Sequence, residues 1–119
     1  MLIRSKKSNE KIAMGLLSFM PERENVKTLQ EVIQKYETDS AWELYLWKEE
    51  EDFIGLIGIE MGETSFVIQD IALNPSFRGE GIGKKMVAAI QERYPAKTCT
   101  SNELTNAFFQ KCQEDETEC

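Results

Sequence analysis

The chain has 119 residues, which is enough for one domain with a hydrophobic core of its own. Its net charge of −7 is the opposite of the broad basic surface that nucleic acids and anionic membranes select, so we expect neither as a partner. No apolar run is long enough to span a membrane and no export signal opens the chain, so we expect a cytoplasmic protein.

The sequence contains no histidine, which excludes the usual Ser-His-Asp and Cys-His catalytic sites and most zinc sites, so we expect no metal. The three cysteines, Cys99, Cys112 and Cys119, are odd in number and lack C-x-x-C spacing, and we expect reduced thiols. In an enzyme of this composition, protons must move through carboxylates, Lys, Tyr, Cys or water.

The first third of the chain predicts a short strand and two helices. A strand over residues 2–6 precedes a helix over 9–20, which ends where Pro21 follows. Apolar residues recur at helical spacing from Glu22 to Tyr36, and this periodicity predicts a second, amphipathic helix.

The middle of the chain predicts three strands. Segments 43–47 and 52–61 are rich in β-forming residues, and the charged run KEEE between them favours a hairpin. A turn over 61–64 leads to a strand over 65–73, which is apolar enough to lie centrally in a sheet.

The last third predicts a helix, a short strand and a final helix. An apolar stripe from Ile82 to Tyr94 predicts the first helix, and residues 96–100 predict the strand. Either a capping box of Thr100 and Glu103 or a cap by Asn102 begins the last helix. The order β-α-α-β-β-β-α-β-α predicts a mixed α/β fold in one domain, residues 1–113, and we expect the acidic tail 114–119 to be disordered.

A glycine-rich loop in the segment NPSFRGEGIGKKM follows the strand over 65–73 and opens the next helix. Glycines at 79, 81 and 83 let the free N–H groups of the helix N-terminus approach an anion, and Arg78 and Lys84 add positive charge. The loop therefore predicts a phosphate cradle. The alternative interpretation is a tight strand-to-helix turn with solvated lysines.

The spacing within this loop excludes two common cradles. A Walker loop fails because Lys85 follows Lys84 and Arg78 stands where the first glycine belongs, and the dinucleotide pattern fails because the spacing is G-x-G-x-G. The arrangement R-x-x-G-x-G over 78–83, after a strand ending in NP, resembles the acyl-CoA pyrophosphate loop of the GNAT acyltransferase superfamily.

A second segment, NELTNAFFQKC over 102–112, is similar to the part of that superfamily after its fifth strand, where an Asn opens a helix with an aromatic pair. Both motifs and the element order together span nearly the whole body of the chain. The segments KIAMGLLSFMP, YETD, LWKEEED, NPSFRGEGIGK and NELTNAFFQKCQ are also similar to small members encoded in bacterial riboflavin operons, which hints at a link to riboflavin metabolism.

The resemblance implies a GNAT-like fold whose fourth and fifth strands splay around the pantetheine arm of acetyl-CoA, the acyl donor. It implies direct transfer of the acetyl group to the amine of a small molecule or peptide, with a backbone N–H near Leu73 stabilising the oxyanion. The implied cofactor-binding residues are Ile71, Ala72, Leu73, Arg78, Gly79, Glu80, Gly81, Ile82, Gly83, Lys84, Asn102 and Phe109.

The sequence departs from the family pattern at two places. Phe109 stands where many members have a Tyr that protonates the departing thiolate, although a thiol pKa of about 8–9 makes the thiolate a tolerable leaving group without it. Gln113 and Glu114 stand where many members continue into two more strands, so the fold is truncated there. The acceptor side is then either open or completed by a second subunit in a homodimer.

An amine acceptor needs a general base, because it is mostly protonated at neutral pH. Asp70 and Glu60 are the candidates, and the alternative for each is an ordinary surface or salt-bridged carboxylate. We expect Phe108 and Cys112 to pack in the core. The sequence leaves three functions open: an N-acetyltransferase, a CoA-binding module with little transferase activity, or a binder of another nucleotide or phosphate.

Overall fold

The structure, a computed structural model, describes the backbone of residues 1–20 and 25–114 and the side chains as far as Gln110. A five-stranded sheet has the order β1-β2-β3-β4-β5, in which β5 is parallel to β4 and all other pairs are antiparallel. The strands are β1 (Leu2–Arg4), β2 (Trp42–Glu49), β3 (Asp52–Met61), β4 (Ser65–Leu73) and β5 (Thr98–Ser101).

Four α-helices join these strands: α1 (Glu10–Leu17), α2 (Val26–Thr38), α3 (Ile82–Arg93) and α4 (Asn106–Glu114). Short 3₁₀ turns over Lys7–Asn9 and Pro75–Phe77 precede α1 and the glycine loop. The described elements confirm the mixed α/β fold and the element order that the sequence predicts. None of the helices in residues 1–20 and 25–114 is long and apolar enough to cross a membrane.

The first helix is shorter than the sequence predicts, and the second extends to Thr38, past the predicted end at Tyr36. Helix α1 ends at Leu17, three residues before Met20. The Asn25 side chain accepts a hydrogen bond of 2.7 Å from the Lys27 N–H, and this cap begins α2 at Val26 because it satisfies a donor that has no partner within the helix. The predicted start at residue 22 lies outside the described residues.

The sheet has an apolar cluster on each face. Helices α1 and α2 cover one face, where Leu16, Leu17, Leu29 and Ile33 pack against Leu44, Leu46, Leu56 and Ala72 of the sheet. Helix α3 covers the other face, where Met86, Val87 and Ile90 pack against Tyr45, Ile57, Ile59, Phe66, Ile68, Ile71 and Leu73. The predicted apolar residues of α2 and α3 therefore point into these two layers, except Val26, which is 60% exposed. The side chain of Cys112, predicted to pack in the core, lies outside the described residues.

A β-bulge in β4 changes which side chains point to which layer. Ile68 pairs with Ile59 and Asp70 pairs with Gly58, so Gln69 is one residue too many for the ladder. Before the bulge Phe66 and Ile68 face α3, and after it Ile71 and Leu73 do so. The extra residue thus turns Asp70 to the face that α2 covers.

The start of the last helix differs from the sequence prediction. Thr100 lies within β5, so it forms no capping box with Glu103. The Asn102 side-chain oxygen instead accepts from the Thr105 N–H at 2.9 Å, and α4 begins only at Asn106. Helix α4 extends to Glu114, one residue past the predicted domain boundary, and the remainder of the predicted tail lies outside the described residues.

Candidate active site

Strands β4 and β5 pair over only part of their length. Ser65 to Ile68 pair with Thr98 to Ser101, and the described part of the chain provides no strand partner on this side for residues 69–73. The second half of β4 therefore presents one backbone edge to a gap. This is the splayed arrangement that the sequence resemblance implies.

Polar side chains close the sheet at the point where the two strands separate. The buried Thr105 hydroxyl donates to the Ile68 carbonyl at 2.7 Å. The Asn102 side-chain amide donates to the carbonyl of Gln69 at 3.1 Å and to its side-chain oxygen at 2.8 Å. These bonds satisfy the carbonyl groups of the last paired residue, Ile68, and of the next residue, Gln69, and the edge opens beyond them.

Beyond this closure lies a cavity of about 350 Å³. Five of the residues that the resemblance implies for cofactor binding line this cavity, namely Ile71, Ala72, Leu73, Arg78 and Gly79. Its other walls come from Leu104, Ala107 and Phe108 on one side and from Phe19 and Met20 on the other. Arg78 is the single charged residue in the described lining, so the slot is apolar with a positive group at one end.

The sequence analysis missed Phe19 and Met20 as residues of this site. They follow the last turn of α1, and their apolar type indicates core packing when only the sequence is considered. Met20 is buried, whereas Phe19 is 41% exposed. The sequence alone carries no signal for this role, because the exposure of Phe19 is known only from the structure.

The glycine loop has the backbone geometry of an anion cradle. Gly79 and Gly81 have φ angles of 85° and 76°, which is the left-handed region that favours glycine. The first hydrogen bond within α3 runs from the Lys85 N–H to the Gly81 carbonyl at 3.1 Å, so the N–H groups of Ile82 and Gly83 have no partner within the helix. The helix dipole adds partial positive charge at this end.

The third glycine of the loop has a different role from the other two. Gly83 is buried in α3, and a Cβ atom there would lie 2.3 Å from Cζ of Phe108. A Cβ atom at Gly79 or Gly81 would meet nothing within 4 Å. Gly83 therefore allows α4 to pack closely on α3, whereas Gly79 and Gly81 shape the loop.

The aromatic pair of α4 is divided between the cavity and the core. Phe108 lies in the cavity wall, and it also packs against the apolar cluster under α3, which the sequence predicts. Phe109 is half-buried against the same cluster and is not part of the described cavity wall. The residue at the position of the family's Tyr thus packs on the core and does not line the described cavity.

The two candidate bases have different environments. Asp70 is completely buried, and the Tyr36 hydroxyl donates to its Oδ2 at 2.5 Å. A Cβ atom at Gly58, the cross-strand partner of Asp70, would lie 2.0 Å from the Tyr36 hydroxyl oxygen. Glu60 is half-buried and accepts from the Gln69 side-chain amide at 2.9 Å.

Tyr36 is a third residue that the sequence analysis did not assign to the site. Its place in the helical stripe of α2 explains its burial but not its hydroxyl group. The partner of that hydroxyl is 34 residues further along the chain, and only the bulge in β4 brings the two together.

Cys99 lies in the closed half of the sheet, where it pairs with Phe66. Burial raises the pKa of its thiol to about 11, so the group is a neutral thiol at physiological pH. Within the described residues no group of three or more acidic or cysteine side chains could hold a metal ion.

Comparison with known proteins identifies the family. A sequence profile of the acetyltransferase (GNAT) family matches residues 10–113, which is most of the chain. The chain belongs to the GNAT family of acetyltransferases. It is therefore an acyltransferase, and its described fold, split strands and glycine loop agree with that membership.

Individual relatives support the same assignment. An uncharacterized N-acetyltransferase of the lysA 3′ region from Bacillus methanolicus is 54% identical over 114 residues, which cover 95% of each chain. A CoA complex of the aminoglycoside N-acetyltransferase AAC(6′)-Iy has a TM-score of 0.75 at 16% identity, covering 100% of this chain and 90% of that one. An acetyltransferase from Thermus thermophilus also has a TM-score of 0.75, at 13% identity, covering 93% of this chain and 83% of that one.

Proposed function

We propose that this GNAT acetyltransferase moves the acetyl group of acetyl-CoA directly to the amine of a small molecule or peptide. The observation that carries the proposal is the continuity of one slot: the open edge of β4 runs into the glycine loop at the N-terminus of α3. An extended, polar arm that ends in a pyrophosphate matches a slot of this shape.

In this proposal the pantetheine arm lies along the backbone of Ile71, Ala72 and Leu73, as an additional strand would. The pyrophosphate group accepts hydrogen bonds from backbone N–H groups of the loop and of the first turn of α3, and the Arg78 guanidinium lies at its edge. The residues that provide these N–H groups are Gly79, Glu80, Gly81, Ile82, Gly83 and Lys84.

Asn102 and Phe109 complete the proposed contacts in less direct ways. The Asn102 side-chain amide donates to Gln69 and so fixes the point at which β4 and β5 separate. From this position Asn102 also contacts the pantetheine arm in the proposed complex. Phe109 packs against the same apolar cluster as Phe108, which forms part of the cavity wall. Neither residue provides a proton that a thiolate needs.

The proposed reaction is a single displacement. Asp70 is the proposed general base; its carboxylate is completely buried, so the proton of the acceptor ammonium group must reach it through intervening groups. The free amine then attacks the thioester carbonyl. A backbone N–H near Leu73 stabilises the oxyanion. The C–S bond breaks as the amide forms, and water provides the proton of the departing CoA thiolate.

The acceptor is the least constrained part of the proposal. The described walls that do not belong to the proposed CoA contacts are apolar, namely Phe19, Met20, Leu104, Ala107 and Phe108. The similarity to the riboflavin-operon members suggests an amine of flavin metabolism as the first acceptor to test. We also propose that the protein works in the cytoplasm and that a second copy closes the acceptor side, which a monomeric mass in solution would contradict.

Calorimetric titration with acetyl-CoA, with desulfo-CoA and ATP as comparators, tests the donor site. We expect a dissociation constant in the micromolar range for acetyl-CoA and much weaker binding of ATP, because ATP lacks the arm that fills the slot. Release of the CoA thiol in the presence of amines then tests transfer. If acetyl-CoA binds but no amine causes release of the CoA thiol, the protein is a CoA-binding module. If acetyl-CoA does not bind, the proposed function is wrong.

A further inference from the structure

Phe19 differs in its location from the other exposed apolar side chains of the described residues. Four large hydrophobic side chains there are exposed, namely Met1, Ile12, Phe19 and Val26. Of these four, Phe19 is the one that lines the donor slot. Single apolar side chains on an open surface need no explanation, whereas one in the wall of a cavity is available to a ligand.

The backbone fixes the position of Phe19 directly after α1. The Phe19 N–H donates to the Leu16 carbonyl at 3.1 Å. The Met20 N–H donates in the same way to the Leu17 carbonyl at 2.9 Å. The side chain of Met20 is buried in the cluster under α1 and α2, while that of Phe19 is exposed. This turn therefore holds an aromatic ring in the wall of the slot before any ligand binds.

The walls of the slot that lie outside the proposed CoA contacts can recognise an apolar group but not a positive charge. They consist of five apolar side chains, two following α1 and three on the side of α4. Arg78 is the single charged residue in the described lining, and its guanidinium repels an ammonium group. Each additional ammonium group on an acceptor would leave water without a counter-charge from these walls.

The size of the slot leaves the acceptor a restricted position. Its volume of about 350 Å³ is at the low end of the range of about 300–1,000 Å³ that is usual for ligand cavities. In the proposed donor complex the pantetheine arm occupies the edge of β4 at Ile71, Ala72 and Leu73. An acceptor must then approach beside the arm, where Phe19 is the one large apolar side chain of the described wall that is exposed.

We infer that the acceptor is a primary amine with an apolar body, aromatic or aliphatic, which packs against the exposed ring of Phe19. Amines with several positive charges are poor acceptors for the same reason. The inference rests on the proposed acetyltransferase function and names the substrate class of that site. It makes Phe19 a specificity-determining residue.

The transfer to such an amine balances without a further reactant. The nitrogen of R–NH₃⁺ forms a bond with the acetyl carbon while the C–S bond breaks. The nitrogen loses two protons in total, of which one ends on the CoA sulfur and the other in solvent. The products are the N-acetyl amide, CoA with a free thiol, and one proton.

The first experiment measures kcat/KM by release of the CoA thiol with 2-phenylethylamine, isoamylamine, ethanolamine and spermidine. We expect both apolar amines to exceed ethanolamine by at least about 30-fold, because their bodies lose apolar surface to water-free contacts in the slot. Spermidine should not exceed ethanolamine. Phenylalaninamide and glycinamide represent the N-terminus of a peptide. A preference for phenylalaninamide would place the apolar body on a peptide, and a preference confined to the free amines would place it on a small molecule.

The second experiment compares Phe19→Ala with Ile12→Ala. Ile12 is a matched control because it lies in α1, is 39% exposed against 41% for Phe19, and is outside the described slot. We expect Phe19→Ala to reduce the preference for 2-phenylethylamine over ethanolamine by about 10-fold. Any loss of donor affinity affects both amines equally and cancels in this ratio. Ile12→Ala should keep the ratio within about 2-fold of the wild type.

Two further variants separate recognition of the acceptor from support of the fold. Phe19→Leu keeps an apolar side chain and should retain most of the preference. Phe19→Glu places a carboxylate in the same exposed position, where it can pair with an ammonium group, so it should shift the preference toward spermidine. A residue that only supports the fold would lower all rates together and would not change the order of the amines.

The outcomes distinguish this inference from the proposed function. Acetylation confined to polar or polycationic amines would overturn the acceptor class and leave the transferase in place. An unchanged preference in Phe19→Ala, with a weaker affinity for acetyl-CoA, would assign Phe19 to the donor and overturn its role in specificity. If the wild type binds acetyl-CoA but no amine causes thiol release, the transferase proposal is wrong and the inference fails with it.

Discussion

The two halves of strand β4 both bury apolar side chains but have different neighbours. The first half, residues 65–68, lies between β3 and β5, and its backbone groups are used on both edges. The second half, residues 69–73, pairs with β3 on one edge and borders the cavity on the other. The side chains of Ile71, Ala72 and Leu73 are nonetheless as buried as those of the first half.

This difference shows how a strand becomes a binding surface without leaving the core. Apolar side chains on both faces hold β4 in place along its whole length, because their burial does not depend on the edge of the sheet. Only the backbone edge becomes available to a ligand. It does so beyond the point where the side chains of Asn102 and Thr105 donate hydrogen bonds to the carbonyl groups of Gln69 and Ile68.

The largest effect on the open half should come from Gly81→Asp. The new carboxylate stands at the N-cap of α3, where the proposed pyrophosphate binds, and like charges repel at short range. We expect a loss of at least about 100-fold in affinity for acetyl-CoA, or about 2.7 kcal/mol, measured by calorimetric titration.

Gly81→Asn is the matched control for that variant, because Asn has nearly the same shape, tolerates the left-handed region and carries no charge. It should retain clearly more affinity than Gly81→Asp. Equal affinity of Gly81→Asp and the wild type would show that the loop does not bind the donor's phosphates.

The boundary between the two halves should depend on Asn102. Asn102→Ala removes the donors to Gln69 and the acceptor for the Thr105 N–H, which leaves two backbone groups without their partners. We expect a loss of about 3 kcal/mol in the free energy of unfolding, measured by denaturant titration, together with weaker acetyl-CoA binding.

Asn106→Ala serves as its control. The Asn106 side chain is exposed and accepts one hydrogen bond of 3.0 Å from the Ser101 hydroxyl. Its removal should change stability by no more than about 0.5 kcal/mol. Similar stability of the two variants would mean that the Asn102 bonds do not hold the boundary.

The wall of the open half should be sensitive to Gly83→Ala. The added methyl group would overlap the Phe108 ring, so α4 must move away from α3. We expect a loss of about 2 kcal/mol in stability. Gly15→Ala in α1 meets no atom within 4 Å and should instead stabilise the protein by about 0.5–1 kcal/mol, because alanine favours the helix.

A Gly83→Ala and Phe108→Ala double variant sharpens the interpretation. Removal of the ring should relieve most of the overlap, so the two changes should not be additive. Full additivity in thermal unfolding would contradict the contact between the two positions.

The smallest effect is expected in the closed half, at Cys99. Burial raises the pKa of the thiol from 9.0 to about 11, and only the thiolate reacts with alkylating agents. In a Cys112→Ser, Cys119→Ser background at pH 8, we expect alkylation about two orders of magnitude slower than in the unfolded chain. A rate equal to that of the unfolded chain would place Cys99 in the open region.

The same pKa shift has a defined sign for stability. The folded state binds the thiol proton more tightly than the unfolded state does, so this contribution is complete below pH 9.0 and falls as the pH rises toward about 11. Denaturant midpoints should therefore decrease over that window in the background that keeps Cys99, and a Cys99→Ala variant should lack this component.

Local sequence patterns account for the described element order but not for the contacts between elements that are distant in the sequence. Periodicity and turn residues predict each strand and helix, because burial of one face depends on neighbours along the chain. The Gln69 bulge and the role of Gly83 depend on contacts with distant residues, Gly58 and Phe108, which no local pattern records. The assignment of Thr100 to a capping box was wrong because strand pairing with Val67 holds that residue in β5.

The candidate site follows the same division. The glycine loop was predictable because a left-handed backbone and a helix N-terminus are encoded within six residues. Phe19, Met20 and Tyr36 were not, since each reaches the site from an element whose apolar pattern already explains its burial. The family resemblance implied that β4 and β5 separate. The structure identifies Asn102 and Thr105 as the side chains at the point of separation.

The strand order has a kinetic consequence. Short turns join β2, β3 and β4, whereas β1 pairs with β2 across α1 and α2, and β5 pairs with β4 through a parallel crossover that contains α3. Loop closure makes such non-local pairing slow, so we expect the β2–β3–β4 meander to form first and the β1–β2 and β4–β5 pairs to form later. A donor that contacts both sides of the finished slot then slows unfolding and leaves the refolding rate nearly unchanged, because its contacts are absent from the transition state.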